Sequence, residues 1–180
     1  SGVILYGDVT VSALGGTISG VLGLKEPART IHVDAAGTLS AGKLADRLNL
    51  PAGLTKTGPG NLVLLGLNTF TGDVTVVEGG CLAQTSAALG AGTGATSVGA
   101  GAQLLFQGSG LSFSNKSLNL AGTFGIYSDV AWNGPITLFG AASGFGGGTG
   151  PAGPLVLTHG GVISGAGKLN KGGSFRMVLA

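Results

Sequence analysis

The sequence predicts an all-β protein built as a solenoid of short stacked coils, and three observations carry that expectation. Glycine supplies 38 of the 180 residues while charged residues make up only 9%, roughly three times and a third of their usual shares. Short apolar runs alternate with glycine-rich turns along the whole length. Segments recur at fixed offsets, the signature of a repeat architecture. One solenoid domain over residues 1–180 follows, with about eight coils of roughly 20–25 residues and a height of roughly 40 Å at ~4.8 Å per coil.

The runs read as strands in chain order: Val3 to Leu14, Thr30 to Leu39, Asn61 to Val77, Ala102 to Gly108, Ser117 to Tyr127, Ile136 to Gly140 and Pro154 to Ile163. Each is short, rich in β-branched or aromatic residues and closed by glycine. Alternation places Leu62, Leu64, Val74 and Val76 inward and Val63 and Thr75 outward. A single coil cannot bury its apolar side alone, so stability comes from stacking on the next one. Residues 23–50 fit this pattern least. They hold the densest charge, Lys25, Glu26 and Arg29 with Pro27, then Lys43, Asp46 and Arg47. Within them Ala41 to Leu50 reads as a short helix, with Leu44 and Leu48 four apart and Pro51 as a stop. This region is expected to be a loop or helical excursion, or else a lateral contact or ligand-facing insertion. Gly144 to Gly153 is expected to be a flexible or tightly turned loop.

Composition excludes several classes. Gly-X-Y periodicity is absent, which excludes collagen. At 43% hydrophobic with a mean hydropathy of +0.49, the chain is too apolar for a disordered linker. Glycine interrupts every apolar stretch, so neither a membrane-spanning helix nor membrane insertion of this segment is expected. The net charge of +2 comes from scattered residues, and no nucleic-acid partner is expected. The one cysteine, Cys81, reads as a small buried residue.

Two recurrences stand out. Gly72-Asp73-Val74-Thr75-Val76 recurs identically as Gly7-Asp8-Val9-Thr10-Val11, an offset of 65. Leu54-Thr55-Lys56-Thr57-Gly58 recurs loosely as Leu169-Asn170-Lys171-Gly172-Gly173, an offset of 115, which also aligns Leu62 with Met177 and Leu64 with Leu179. The offsets add up to the full length, so the chain read tail to head resembles its own segment from Leu54 to Val76. Either a longer array has been cut arbitrarily, or copies stack end to end, each C-terminal strand completing the N-terminal coil of its neighbour.

The segment Leu54 to Gly90 resembles the autotransporter-associated β-strand repeat. The matching residues are Leu54, Lys56, Gly58, Gly60, Leu62, Leu64, Gly66, Asn68, Thr69, Phe70 and Gly72, with Thr75, Val74, Val76 and Leu82 beyond them. Cys81 and Phe175 depart from that pattern, Phe175 standing where the repeat expects glycine and so marking a terminal or contact position. The resemblance implies a right-handed parallel β-helix in a secreted or surface-displayed passenger protein.

Chemistry is sparse. Asp8 and Asp73 share a repeat position and read as equivalent turn residues. His32 and His159 lack partners at ligand spacing, so no metal is expected. Ser164, His159 and Asp129 form a triad only on paper, and no catalytic residue or cofactor is assigned. The function expected is that of an extracellular structural or adhesive solenoid. It would polymerise head to tail through unpaired strand edges at Val3, Ile4, Leu5, Phe175, Met177, Val178 and Leu179. The alternative is a carbohydrate-binding or carbohydrate-cleaving β-helix that meets surface glycans in a groove lined by Trp132, Tyr127 and Phe124. Ice binding ranks lower, because Thr69-Phe70-Thr71 supplies a single Thr-X-Thr unit.

Overall fold

A computed structural model describes residues 2–35, 37–47, 50–141, 143–150 and 153–180, and among them it contains strands and turns but no helix. The alternation read from the sequence is the burial pattern observed. In Asn61–Leu64 the leucines are buried between half-exposed or exposed neighbours, and Val74–Val76 buries both valines.

The strands stack in parallel. A nine-stranded sheet runs through Gly2–Leu5, Gly16–Leu24, Thr38–Asp46, Asn61–Leu64, Gly80–Ala83, Gln103–Phe106, Thr123–Ile126, Gly144–Gly147 and Asn170–Lys171. An eight-stranded sheet runs through Val9–Val11, Ala28–Val33, Gly53–Thr57, Val74–Val76, Thr96–Val98, Leu118–Leu120, Ile136–Leu138 and Ile163–Ser164. Leu111–Phe113, Val130–Trp132, Val156–His159 and Arg176–Leu179 form a four-stranded sheet. The chain visits these in rotation, which makes a solenoid of about eight turns. Turn length varies from 18 residues between paired Leu118 and Ile136 to 27 between Ile136 and Ile163.

The third side changes character along the axis. In the first turns the nine-residue strands bend around a corner, so that Gly2–Leu5, Val21–Leu24 and Lys43–Asp46 pair with one another. In the last turns the four-stranded sheet takes that side. Between them, residues 65–73 and 84–95 form no strand.

One continuous apolar core fills the interior. Its upper part is aromatic, with ring centroids 4.5 Å apart for Phe106 and Phe124, 5.3 Å for Phe113 and Trp132, and 5.5 Å for Phe124 and Phe145. Such tilted and offset contacts add to the burial of large apolar surfaces.

Three sequence expectations need correction. Residues 41–46, expected to be helical, continue the strand Thr38–Asp46; Leu44 is fully buried against Leu22 of the preceding turn, so the apolar period is two. Leu48, the other leucine of the expected helix, lies outside the described residues. Gly144–Gly147, expected to be loop, pairs with Thr123–Ile126, and Thr149–Gly150 and Gly153–Pro154 form a small antiparallel pair. Residues 151 and 152 of that segment lie outside the described residues. Lastly, the two recurrences differ in kind. Val9–Val11 and Val74–Val76 occupy the same sheet. Lys56 lies in the eight-stranded sheet and Lys171 in the nine-stranded one, while Leu62 and Met177 likewise fall on different sheets. Local sequence fixes a strand and its turn, but the side it occupies depends on the summed lengths of all preceding coils, which are unequal.

Candidate functional site

The turn built from the repeat-defining residues is the best-organised polar feature of the molecule. Leu54, Leu62, Leu64 and Phe70 point into the core and are at most 1% exposed. Lys56 stands in the same inward column, paired between Ile31 and Val76. Its stem lies in the core and its ammonium donates to the carbonyls of Thr57 at 2.7 Å, Gly58 at 2.7 Å and Glu78 at 3.1 Å. Three acceptors satisfy all three donors of an ammonium, the condition for keeping it buried. Burial still pulls the Lys56 pKa below its usual value, opposed by Cys81 and Glu78. Cys81 itself is wholly buried, and desolvation pushes its thiol up to about 12 despite the Lys56 charge nearby. A thiol so buried and so weakly acidic is packing rather than chemistry.

Asn68 does the work of the missing third-side strand. Its Oδ1 accepts from the Leu44 amide in the turn before, and its Nδ2 donates to the Ala88 carbonyl in the turn after, each at 2.7 Å. Thr69 adds a backbone bond to Leu44 at 2.8 Å. The glycines of the motif have equally specific reasons. Gly58 adopts a φ of 77°, the left-handed region. A side chain at Gly66 would collide with the Gly42 carbonyl below it.

Aspartates join successive turns. Asp8 accepts from the Thr30 amide at 2.8 Å, Asp73 from Ala95 at 2.7 Å and Asp129 from Val156 at 2.8 Å. Asp8 and Asp73 thus make the same kind of bond to the next turn, but their shared repeat position is not a shared structural one: Val9 stacks in the column of Ile31, Lys56 and Val76, so the two identical segments stand two residues out of register. Asp46, which the sequence places only in a charge cluster, serves a similar role, accepting from the amides of Ala52 at 2.9 Å and Thr71 at 3.2 Å. The rest of that cluster is woven into the first turns: Arg29 donates to the carbonyls of Leu5, Ala28 and Glu26. The Lys25 ammonium sits 5.4 Å from the centroid of the Tyr6 ring.

The residues proposed for self-contact lie on end strands. Gly2–Leu5, with Val3, Ile4 and Leu5, ends the nine-stranded sheet, and Arg176–Leu179, with Met177, Val178 and Leu179, ends the four-stranded one. Val3 and Leu179 are 61% and 65% exposed. Phe175 differs. It is 2% exposed, packs on Gly147 and lies beneath the Lys171 ammonium, 4.4 Å from the ring centroid. In place of the expected glycine it closes the core from above, so its ring is not offered to a neighbour.

The groove expected for glycans does not form from its three aromatic residues. Trp132 and Phe124 are fully buried in the core and only Tyr127 is exposed. Ser164, His159 and Asp129 are not brought together either: Ser164 is exposed on the eight-stranded sheet, the His159 ring is buried with Nδ1 against the Trp132 carbonyl at 2.7 Å, and Asp129 is engaged by Val156. His32 lies 3.1 Å from both Asp34 and Thr57 at the surface. Among the described residues no three His, Cys, Asp or Glu side chains gather as metal ligands, and no helix is long and apolar enough to cross a membrane.

No curated protein and no solved structure matches the chain. A family model does match, over residues 54–83, and it covers the strand that carries Lys56, the bridge at Asn68 and the strand that carries Cys81. That turn of the solenoid is similar to a passenger-associated-transport-repeat.

Proposed function

We propose that this chain is a structural segment of an extracellular passenger, a β-solenoid that associates with its own copies end to end through its terminal strands. The repeat at residues 54–83 supports the passenger reading and, with it, a secreted or surface location. The observation that carries the association is the open edge at each end of the stack. Gly2–Leu5 and Arg176–Leu179 each pair on one side only, and they expose Val3 and Leu179. Unpaired edges with apolar side chains are templates for another strand. The role is structural and assigns no catalytic step to any residue.

The amides of Arg176 and Ala180 donate inward, to Leu155 and His159. Strand alternation therefore turns the Leu179 N–H outward. Leu179→Pro removes that outward donor and leaves the internal ladder in place. Light scattering and negative-stain microscopy across a concentration series should show the parent growing into rods and Leu179→Pro staying monomeric. A parent that remains monomeric at high concentration contradicts the association, and rods in both proteins contradict the strand assigned to it.

A further inference from the structure

From residue 52 onward, one corner of the solenoid is built from the smallest residues, with a single exception; the turn before has Pro27 at that position. The chain enters the eight-stranded sheet through positions two residues before Leu54, Val74, Thr96, Leu118, Ile136 and Ile163, which pair in one continuous register. Those positions are Ala52, Gly72, Gly94, Lys116, Gly134 and Gly161. Small residues are needed there because the coils touch: a side chain at Gly94 would strike the Gly72 backbone, and one at Gly134 the Lys116 backbone. Lys116 breaks this rule with the longest of stems.

Its environment is also unlike that of the other buried lysine. Lys116 is 5% exposed, and its Nζ is buried without a hydrogen-bond partner. The ammonium of Lys56, by comparison, has three carbonyls. The Asp73 charge favours the protonated Lys116 amine against desolvation, but Asp73 Oδ1 is taken by the Ala95 amide. Among the described residues no ion pair involves Lys116. A buried donor left unmade is costly, and a local rule broken at such a cost marks a place where function is to be sought.

Beside Lys116 lies an open cleft of about 260 Å³ on the third side, where the strandless segment 84–95 meets Leu111–Phe113. Ser112, Ser114, Asn115, Gly90 and Gly92 line it, and Lys116 is the one charged residue of that lining. Lys116 is part of that lining, and its four-carbon stem is flexible. We propose that this cleft binds a small oxyanion, a carboxylate or a sulfate group, with Lys116 as its counter-charge and the Ser112, Ser114 and Asn115 side chains as neutral donors. An oxyanion supplies the acceptor that the fold withholds from Lys116, and charge-assisted bonds of this kind are about twice as strong as neutral ones.

Amide-resolved NMR titration of the intact chain tests this with sodium glucuronate, sodium sulfate and glucose. The amides of Ser112, Ser114 and Asn115 should shift saturably with one or both anions and stay still with glucose. A response to glucuronate alone identifies a carboxylate-bearing sugar; equal responses identify the bare oxyanion. Lys116→Met should weaken the response at least about tenfold, and Lys116→Arg should retain it. Absence of saturable shifts, an equal response to glucose, or unchanged binding by Lys116→Met overturns the assignment. If Lys116→Met fails to fold, the contrast between the anions and glucose in the parent decides alone.

Discussion

The repeat turn and the turns above it solve the same problem by different means. Around residues 54–95 the third side has no strand, and polar side chains hold the coils together: Asn68 between Leu44 and Ala88, Lys56 on three carbonyls, Asp73 on Ala95. From Leu111 onward the third side is a sheet of its own, and the interior is filled by Phe106, Phe113, Phe124, Trp132 and Phe145. A coil without a strand on one side loses that side's backbone ladder, so buried amides must find partners among side chains. A coil with all three strands satisfies its backbone and needs only volume. Specific polarity rules the first region and shape rules the second.

The widest separation between the two should come from Trp132. Trp132→Ala removes the largest buried side chain of the aromatic stack and should cost about 3–5 kcal/mol in denaturant unfolding. Trp132→Phe keeps most of the volume and discards a buried indole N–H that has no partner, so it should cost less than about 1.5 kcal/mol. In the repeat turn a swap that keeps the volume should fare badly. Asn68→Leu leaves the Leu44 N–H and the Ala88 carbonyl without partners, at about 2–5 kcal/mol for the pair. If Asn68→Leu unfolds at the same denaturant concentration as the parent, the distinction between the regions collapses.

Cys81 sharpens the comparison from the alkaline side. With its folded pKa raised from 9.0 to about 12, the folded thiol holds its proton where the unfolded one has lost it. The thiol's contribution is therefore complete below pH 9 and declines as pH rises towards about 12. The stability difference between the parent and Cys81→Ala should narrow over that range, by about 1.4 kcal/mol per pH unit. Native protein at neutral pH should also resist thiol reagents until it unfolds. The smallest effect is expected at Asp73→Ala, where the carboxylate that joins Val74–Val76 to the next turn is exposed and its loss should cost about 1 kcal/mol.

The same division explains what could be read from the sequence. In the repeat turn each residue has a single job at a fixed spacing, so Lys56, Asn68, Gly58 and Gly66 stand out as a pattern, and the strand alternation at Leu62 and Leu64 follows directly. In the upper turns many arrangements of aromatic residues fill the same volume. Nothing in the spacing of Phe124 and Trp132 separates a core stack from an exposed platform, so the sequence suits a glycan groove there as well as a buried core. The helix expected at residues 41–50 fails over 41–46, where Leu44 pairs with Leu22 in the sheet, because a spacing of four suits a period of two as well as a helical one. Lys116 escapes notice in the sequence because its meaning comes from a column of small residues unevenly spaced, 18 to 27 residues apart, visible only once the register is known.

The central claim is that the polar residues of the repeat pin coils where a strand is missing, and the Leu44 amide reports on it directly. Hydrogen exchange should show Leu44 protected in the parent and in Trp132→Phe, and exchanging rapidly in Asn68→Leu while the amides of Leu111–Phe113 keep their protection. Equal protection of Leu44 in the parent and Asn68→Leu would contradict the account.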